Sequence, residues 1–129
     1  MNKIVYQKEG TVASFPYKFV LEKTDDGLVG TVTAYVYKNV VTDDVKKLEE
    51  KMNQLYFSSD NSGFYMEGNY VVYRTIKKID PSCKNNYSAE VSVRRHFIED
   101  YLEDEHDLQK IIEPLGGETL KTEFVGQEF

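Results

Sequence analysis

Tyr87-Ser88-Ala89-Glu90-Val91-Ser92-Val93-Arg94-Arg95-His96-Phe97 is the stretch on which the fold turns. Tyr87, Ala89, Val91 and Val93 fall on one side at period two. Ser88, Glu90, Ser92, Arg94 and His96 fall on the other. A strand with one buried face alternates in this way, so the stretch reads as a strand. Beyond it, Ile98, Tyr101, Leu102, Leu108, Ile111, Ile112 and Leu115 recur at helical spacing, and Gly116-Gly117 stops the helix. Thr119 to Val125 reads as a closing strand.

Before that stretch, Asp80 to Asn86 is a loop. Phe64 to Ile79 is rich in strand formers and is interrupted at Gly68-Asn69, which reads either as a bulge or as a hairpin turn. Val45, Leu48, Met52 and Leu55 form an apolar stripe on a first helix, capped by Thr42 or Asp43 and fading near Phe57. Leu28 to Lys38 alternates, with Leu28, Val32, Ala34 and Val36 opposite Thr31, Thr33, Tyr35 and Tyr37. Thr24-Asp25-Asp26-Gly27 is a hairpin turn signal. Thr11 to Lys23 puts Ala13, Phe15, Tyr17, Phe19 and Leu21 on one face, and Pro16 assigns it to a sheet edge or a bulge. Ile4 to Tyr6 is a short opening strand. From Leu28 onward the order is βαββαβ. The expected fold is therefore a single α+β domain over residues 1–129. It is a ferredoxin-like antiparallel sheet with two helices on one face and an extra N-terminal β-hairpin.

A sheet of that kind leaves one face without helices, to be solvated or covered by another chain. The alternation assigns Thr31, Thr33, Tyr35 and Tyr37 to that face, together with Ser88, Glu90, Ser92, Arg94 and His96. Tyrosine and arginine supply much interface energy. Tyr35, Tyr37, Arg74, Arg94 and His96 are accordingly the candidates for a ligand site or subunit interface, and a homo-oligomer is expected.

With 16 basic and 22 acidic residues the formal charge is -6, which argues against direct nucleic-acid binding. No apolar run reaches the length of a membrane span, and the first ten residues are too polar for a signal peptide, so a cytoplasmic protein is expected. Cys83 is the one cysteine, which excludes an internal disulfide. Charge is laid out unevenly. Arg74, Lys77, Lys78, Lys84, Arg94 and Arg95 form a basic region suited to a small anionic or nucleotide ligand. Glu99, Asp100, Glu103, Asp104, Glu105 and Asp107 crowd the second helix. Such a row of carboxylates imitates a phosphate backbone and suits a basic groove on a protein partner.

Catalytic kits are missing. Glu103 and His106 share a helix face but lack the further ligands of a metal site, and none is expected. Only Cys83 or Ser92 with His96 offers a nucleophile and base. No phosphate loop or dinucleotide fingerprint is present, and no cofactor is expected. The βαββαβ order, the Tyr-rich strands and Tyr73-Arg74 after Gly63-Phe64-Tyr65 loosely resemble the small phage S-adenosylmethionine lyases, trimers with sites between subunits. Over residues 28 to 125 that resemblance implies a lyase with Tyr73, Glu67 and Glu90 at its site, although Thr75 stands where an acid is expected after the Tyr-Arg pair. The leading expectation is a non-enzymatic inhibitor or immunity-type protein of phage or mobile-element origin. It would occlude a partner through Glu99, Asp100, Glu103, Asp104 and Asp107.

Overall fold

The computed structural model describes residues 3–55 and 62–121. Three long strands open the chain: β1 (Lys3–Val12), β2 (Phe15–Thr24) and β3 (Gly27–Lys38). Helix α1 (Val45–Met52) leads to the hairpin β4 (Ser62–Glu67) and β5 (Tyr70–Lys78). Helix α2 (Asn86–Ile112), a single 3-10 turn (Glu113–Leu115) and the two-residue β6 (Glu118–Thr119) follow. All pairings are antiparallel, in the order β1-β2-β3-β5-β4, with β6 beside the end of β3. This is a strand-dominated meander with an added hairpin, and the ferredoxin-like βαββαβ order is not formed.

The correction lies in Tyr87–Phe97, which belongs to α2 and not to a strand. The 27-residue helix is roughly 40 Å long at 1.5 Å per residue. Asn85 caps it: its side chain accepts from Ser88 N at 2.8 Å, and Ser88 Oγ accepts from Asn85 N at 3.3 Å. That reciprocal pair satisfies two backbone donors and fixes the start. No Gly or Pro occurs between Pro81 and Pro114, so nothing interrupts the helix. Its buried stripe runs through Ala89, Glu90, Val93, Phe97, Tyr101, Asp104, Leu108 and Ile112. Two of those positions are carboxylates, which hides the helical period and leaves the chance alternation of Tyr87, Ala89, Val91 and Val93 in view.

The core lies between α2 and one sheet face. Phe15, Tyr17, Phe19 and Leu21 of β2 are buried there with Val32, Ala34 and Val36 of β3, as the alternation predicts. Phe15, Phe64, Tyr73, Phe97 and Tyr101 form a connected aromatic cluster. The helix approaches the sheet closely at Gly30, where a Cβ would stand 2.8 Å from Val93 Cγ2. A side chain at position 30 would push the helix off the sheet.

Several local expectations change. Thr11 to Lys23 is not one strand, because Ala13 and Ser14 turn the chain between β1 and β2 with φ of 49° and 69°. Pro16 is not at a sheet edge; it lies one residue before the β2–β3 ladder begins at Tyr17↔Ala34, where no ladder donor is required. A register shift between Tyr35 and Tyr37 turns Tyr37 into the core beside Val36. Gly68-Asn69 is a hairpin turn between the paired Glu67 and Tyr70, with φ of 62° at Gly68 that glycine adopts without strain. Asp44, not Thr42 or Asp43, caps α1 by accepting from Lys47 N at 3.0 Å. Helix α1 ends at Met52, capped by Asn53, short of the expected fading near Phe57 and without Leu55; the expected strand beyond Lys121 lies outside the described residues.

Two non-glycine residues at positive φ make the β1–β2 turn a strained one, at about 1–2 kcal/mol per residue. Ala13→Asn is expected to stabilise the protein by about 0.5–1 kcal/mol, since asparagine tolerates this conformation. A higher urea midpoint would show it, and an unchanged or lower one would refute the strain.

Candidate functional site

Helix α2 covers one face of the sheet and leaves the other bare. On that second face the cross-strand register aligns Tyr35, Val72 and Tyr65 in one row. The next rows hold Lys18, Thr33 and Arg74, then Val20, Thr31 and Ile76. Val72, which stands between Tyr35 and Tyr65 in that row, is fully buried. Tyr70 packs edge-on against Tyr35 at 6.0 Å. The Arg74 guanidinium lies 4.5 Å from the centre of the Tyr65 ring. Tyr35 OH donates to Glu67 Oε1 at 3.2 Å, and burial followed by that carboxylate raises its pKa. Beside this group a shallow concavity of about 400 Å³ is lined by Ile4, Val20, Glu22, Thr31, Thr33, Arg74 and Ile76. Ile4, Tyr70 and Ile76 remain 52%, 40% and 37% exposed, so the face presents apolar surface to solvent.

The expected partner row on α2 is divided. Glu99, Glu103 and Asp107 follow one another at i, i+4, i+8 on the exposed side. Asp100 instead accepts from Ser62 Oγ at 3.2 Å and pairs with His96 Nε2 at 3.3 Å. Asp104 is fully buried, and neither of its carboxylate oxygens has a hydrogen-bond partner among the described residues. Burial first, then Asp100, Asp107 and Glu103, push its pKa up to about 7.

The face expected to unite Tyr35, Tyr37, Arg74, Arg94 and His96 keeps only Tyr35 and Arg74. Tyr37 is in the core, while Arg94 and His96 stand on α2, across the sheet. Ser88, Glu90 and Ser92 move to the helix with them.

Arg94 belongs to a separate cluster around Glu90. That carboxylate is fully buried between α2 and the β1–β2 hairpin. Tyr17 OH donates to it, Lys8 Nζ reaches it at 3.4 Å and Arg94 Nη1 stands at 3.8 Å. Arg94 also donates to Thr11 O at 3.3 Å and lies 5.4 Å over the Tyr17 ring. Burial, reinforced by Glu90, holds the Tyr17 phenol well above its ordinary range.

Tyr73, Glu67 and Glu90, the residues implied by the lyase resemblance, are dispersed within one chain. Tyr73 is in the aromatic core, Glu67 is on the bare face beside the β4–β5 turn, and Glu90 is under α2. Among the described residues no three His, Cys, Asp or Glu side chains are placed to hold a metal ion. Among those residues, too, no helix is long and apolar enough to cross a membrane.

Tyr65, Tyr70 and Ile76 were not among the expected site residues. Their alternation was visible in the sequence, but only a turn at Gly68-Asn69 folds β4 beside β5 and aligns them with Tyr35. Comparison with protein-family models, curated proteins and solved structures gave no match for this chain.

Proposed function

We propose that this is a non-enzymatic binding protein of inhibitor or immunity type, which acts by covering a protein partner with the bare face of its sheet. The observation that carries this reading is the packing of Tyr35, Tyr65, Tyr70 and Arg74 on a face without a helix. These side chains are already held by one another, so little freedom remains to be lost on binding. Tyrosine and arginine at the centre of a patch, with Thr, Val and Ile around them, match the composition of interface cores. The fitting partner surface is apolar at its centre and offers a carboxylate to Arg74.

The acidic helix is the weaker candidate, since Asp104 faces inward and Asp100 is engaged with Ser62 and His96. A tagged full chain that copurifies a protein from its native cells distinguishes the two. Ile76→Asp and Arg74→Glu are each expected to reduce capture at least tenfold, an amount equal to about 1.4 kcal/mol. Charge reversal at Glu99, Glu103 and Asp107 is expected to leave capture within a few-fold. The opposite pattern would assign the partner to α2 and remove the sheet face from the mechanism.

A further inference from the structure

We infer that the groove between α2 and the end of β5 binds the phosphate group of a small phosphate monoester. Ser88, Ser92 and His96 stand at i, i+4 and i+8 on α2 and line one wall of this groove, which has a volume of about 190 Å³. Lys77 lines the opposite wall from β5, on the side of the sheet that α2 covers, and its Nζ donates to Ser92 Oγ at 2.9 Å. Arg95 lines it from the next helical row. The Lys77 ammonium, the Arg95 guanidinium, the His96 imidazole and the Ser92 hydroxyl thus line one small volume, while the Ser88 hydroxyl is engaged with Asn85 O at 2.9 Å. A phosphate monoester presents three terminal oxygens in different directions and is met by donors arriving from several sides. A planar carboxylate is satisfied by one guanidinium alone.

The placement is uncommon for a chain of formal charge -6. Glu99 is the one carboxylate among the lining residues. Asp100, nearby on α2, is held by His96 and Ser62. A second groove of about 240 Å³ adjoins the first and shares Val91, Arg95 and Glu99 with it, adding Arg94 and Ile98. That neighbouring surface suits a compact apolar group carried by the ester. The site is on the opposite side of the sheet from the proposed partner face and is independent of it.

The test is an amide-shift NMR titration of the full chain with inorganic phosphate and, separately, with phenyl phosphate. Saturable shifts centred on Ser88, Ser92, Arg95 and His96 are expected. The dissociation constant for inorganic phosphate should be of roughly millimolar order, with phenyl phosphate several-fold tighter. Lys77→Gln should weaken both by about tenfold. Glu99→Gln should strengthen both, a gain that misfolding does not produce. Absence of saturable shifts at these residues, or affinities unmoved by both variants, would overturn the site. Equal affinity for the two probes would overturn its assignment to an ester.

Discussion

Asp104→Asn is expected to make the protein more stable at pH 8, by about 2 kcal/mol, and to change little at pH 5. In the folded chain the Asp104 carboxyl titrates near 7 because it is buried among Asp100, Asp107 and Glu103, whereas its ordinary value is 3.8. Between those two values the unfolded chain has released a proton that the folded chain retains. Stability contributed by the protonated carboxyl is therefore complete below pH ~4, falls as pH rises towards ~7, and is absent above it. Each pKa unit corresponds to about 1.4 kcal/mol. Tyr73 of β5 and Tyr101 of α2 both feel the Asp104 charge and are themselves raised chiefly by burial. An asparagine removes the charge but keeps an unpaired polar group, so the gain is smaller than the full span. Urea unfolding of both proteins at pH 5 and pH 8 checks this. A native chain equally stable at the two pH values would refute it.

Glu90→Ala is expected to act in the other direction, costing about 3 kcal/mol. Removing one partner of a buried charge cluster leaves the others unpaired, which costs more than the cluster contributes in net terms. Here the loss abandons Tyr17 OH and leaves Lys8 and Arg94 without their shared acceptor. Partial exposure of Lys8 and Arg94 moderates the effect, because water reaches both. Glu90→Gln keeps an acceptor for Tyr17 and is expected to lose about half as much. Thermal unfolding of the three proteins measures the order. If Glu90→Ala matched the native chain, the cluster would be a surface pair without structural weight.

These two carboxylates also explain what could be read in the sequence. The faces of β2 and β3 follow from strict alternation, and Phe15, Tyr17, Phe19, Leu21, Val32 and Ala34 are buried as that alternation requires. Local turn chemistry was equally legible, as at Gly68-Asn69, although choosing between a bulge and a turn depended on which strands meet. The failure at Tyr87–Phe97 had a different origin. A periodicity argument takes charged residues to face water, and Glu90 and Asp104 face the core. The competing signals were Asn85 with Ser88, a helix-capping pair, and the long interval without glycine or proline. At Tyr37 a one-residue register shift reversed the facing of a side chain, which alternation alone has no means of anticipating. The bare face is composed of residues from all five strands β1 to β5, so it became visible only once the strand order was known.

Helix α1 has one further consequence. The side chain of Asn53, its C-cap, accepts from Phe64 N at 2.7 Å and donates to Phe64 O at 2.8 Å, while Glu49 of the helix accepts from Met66 N at 2.7 Å. Those backbone groups lie along the outer margin of β4, which pairs with β5 on its other side. One end of the sheet is thus covered by side chains, and among the described residues no strand pairs with the outer side of β1. A strand added at β1 would find no equally free backbone at Phe64 and Met66 on the opposite side of the sheet. Three hydrogen bonds from Glu49 and Asn53 thus occupy the backbone groups at Phe64 and Met66 that another strand would need in order to pair there.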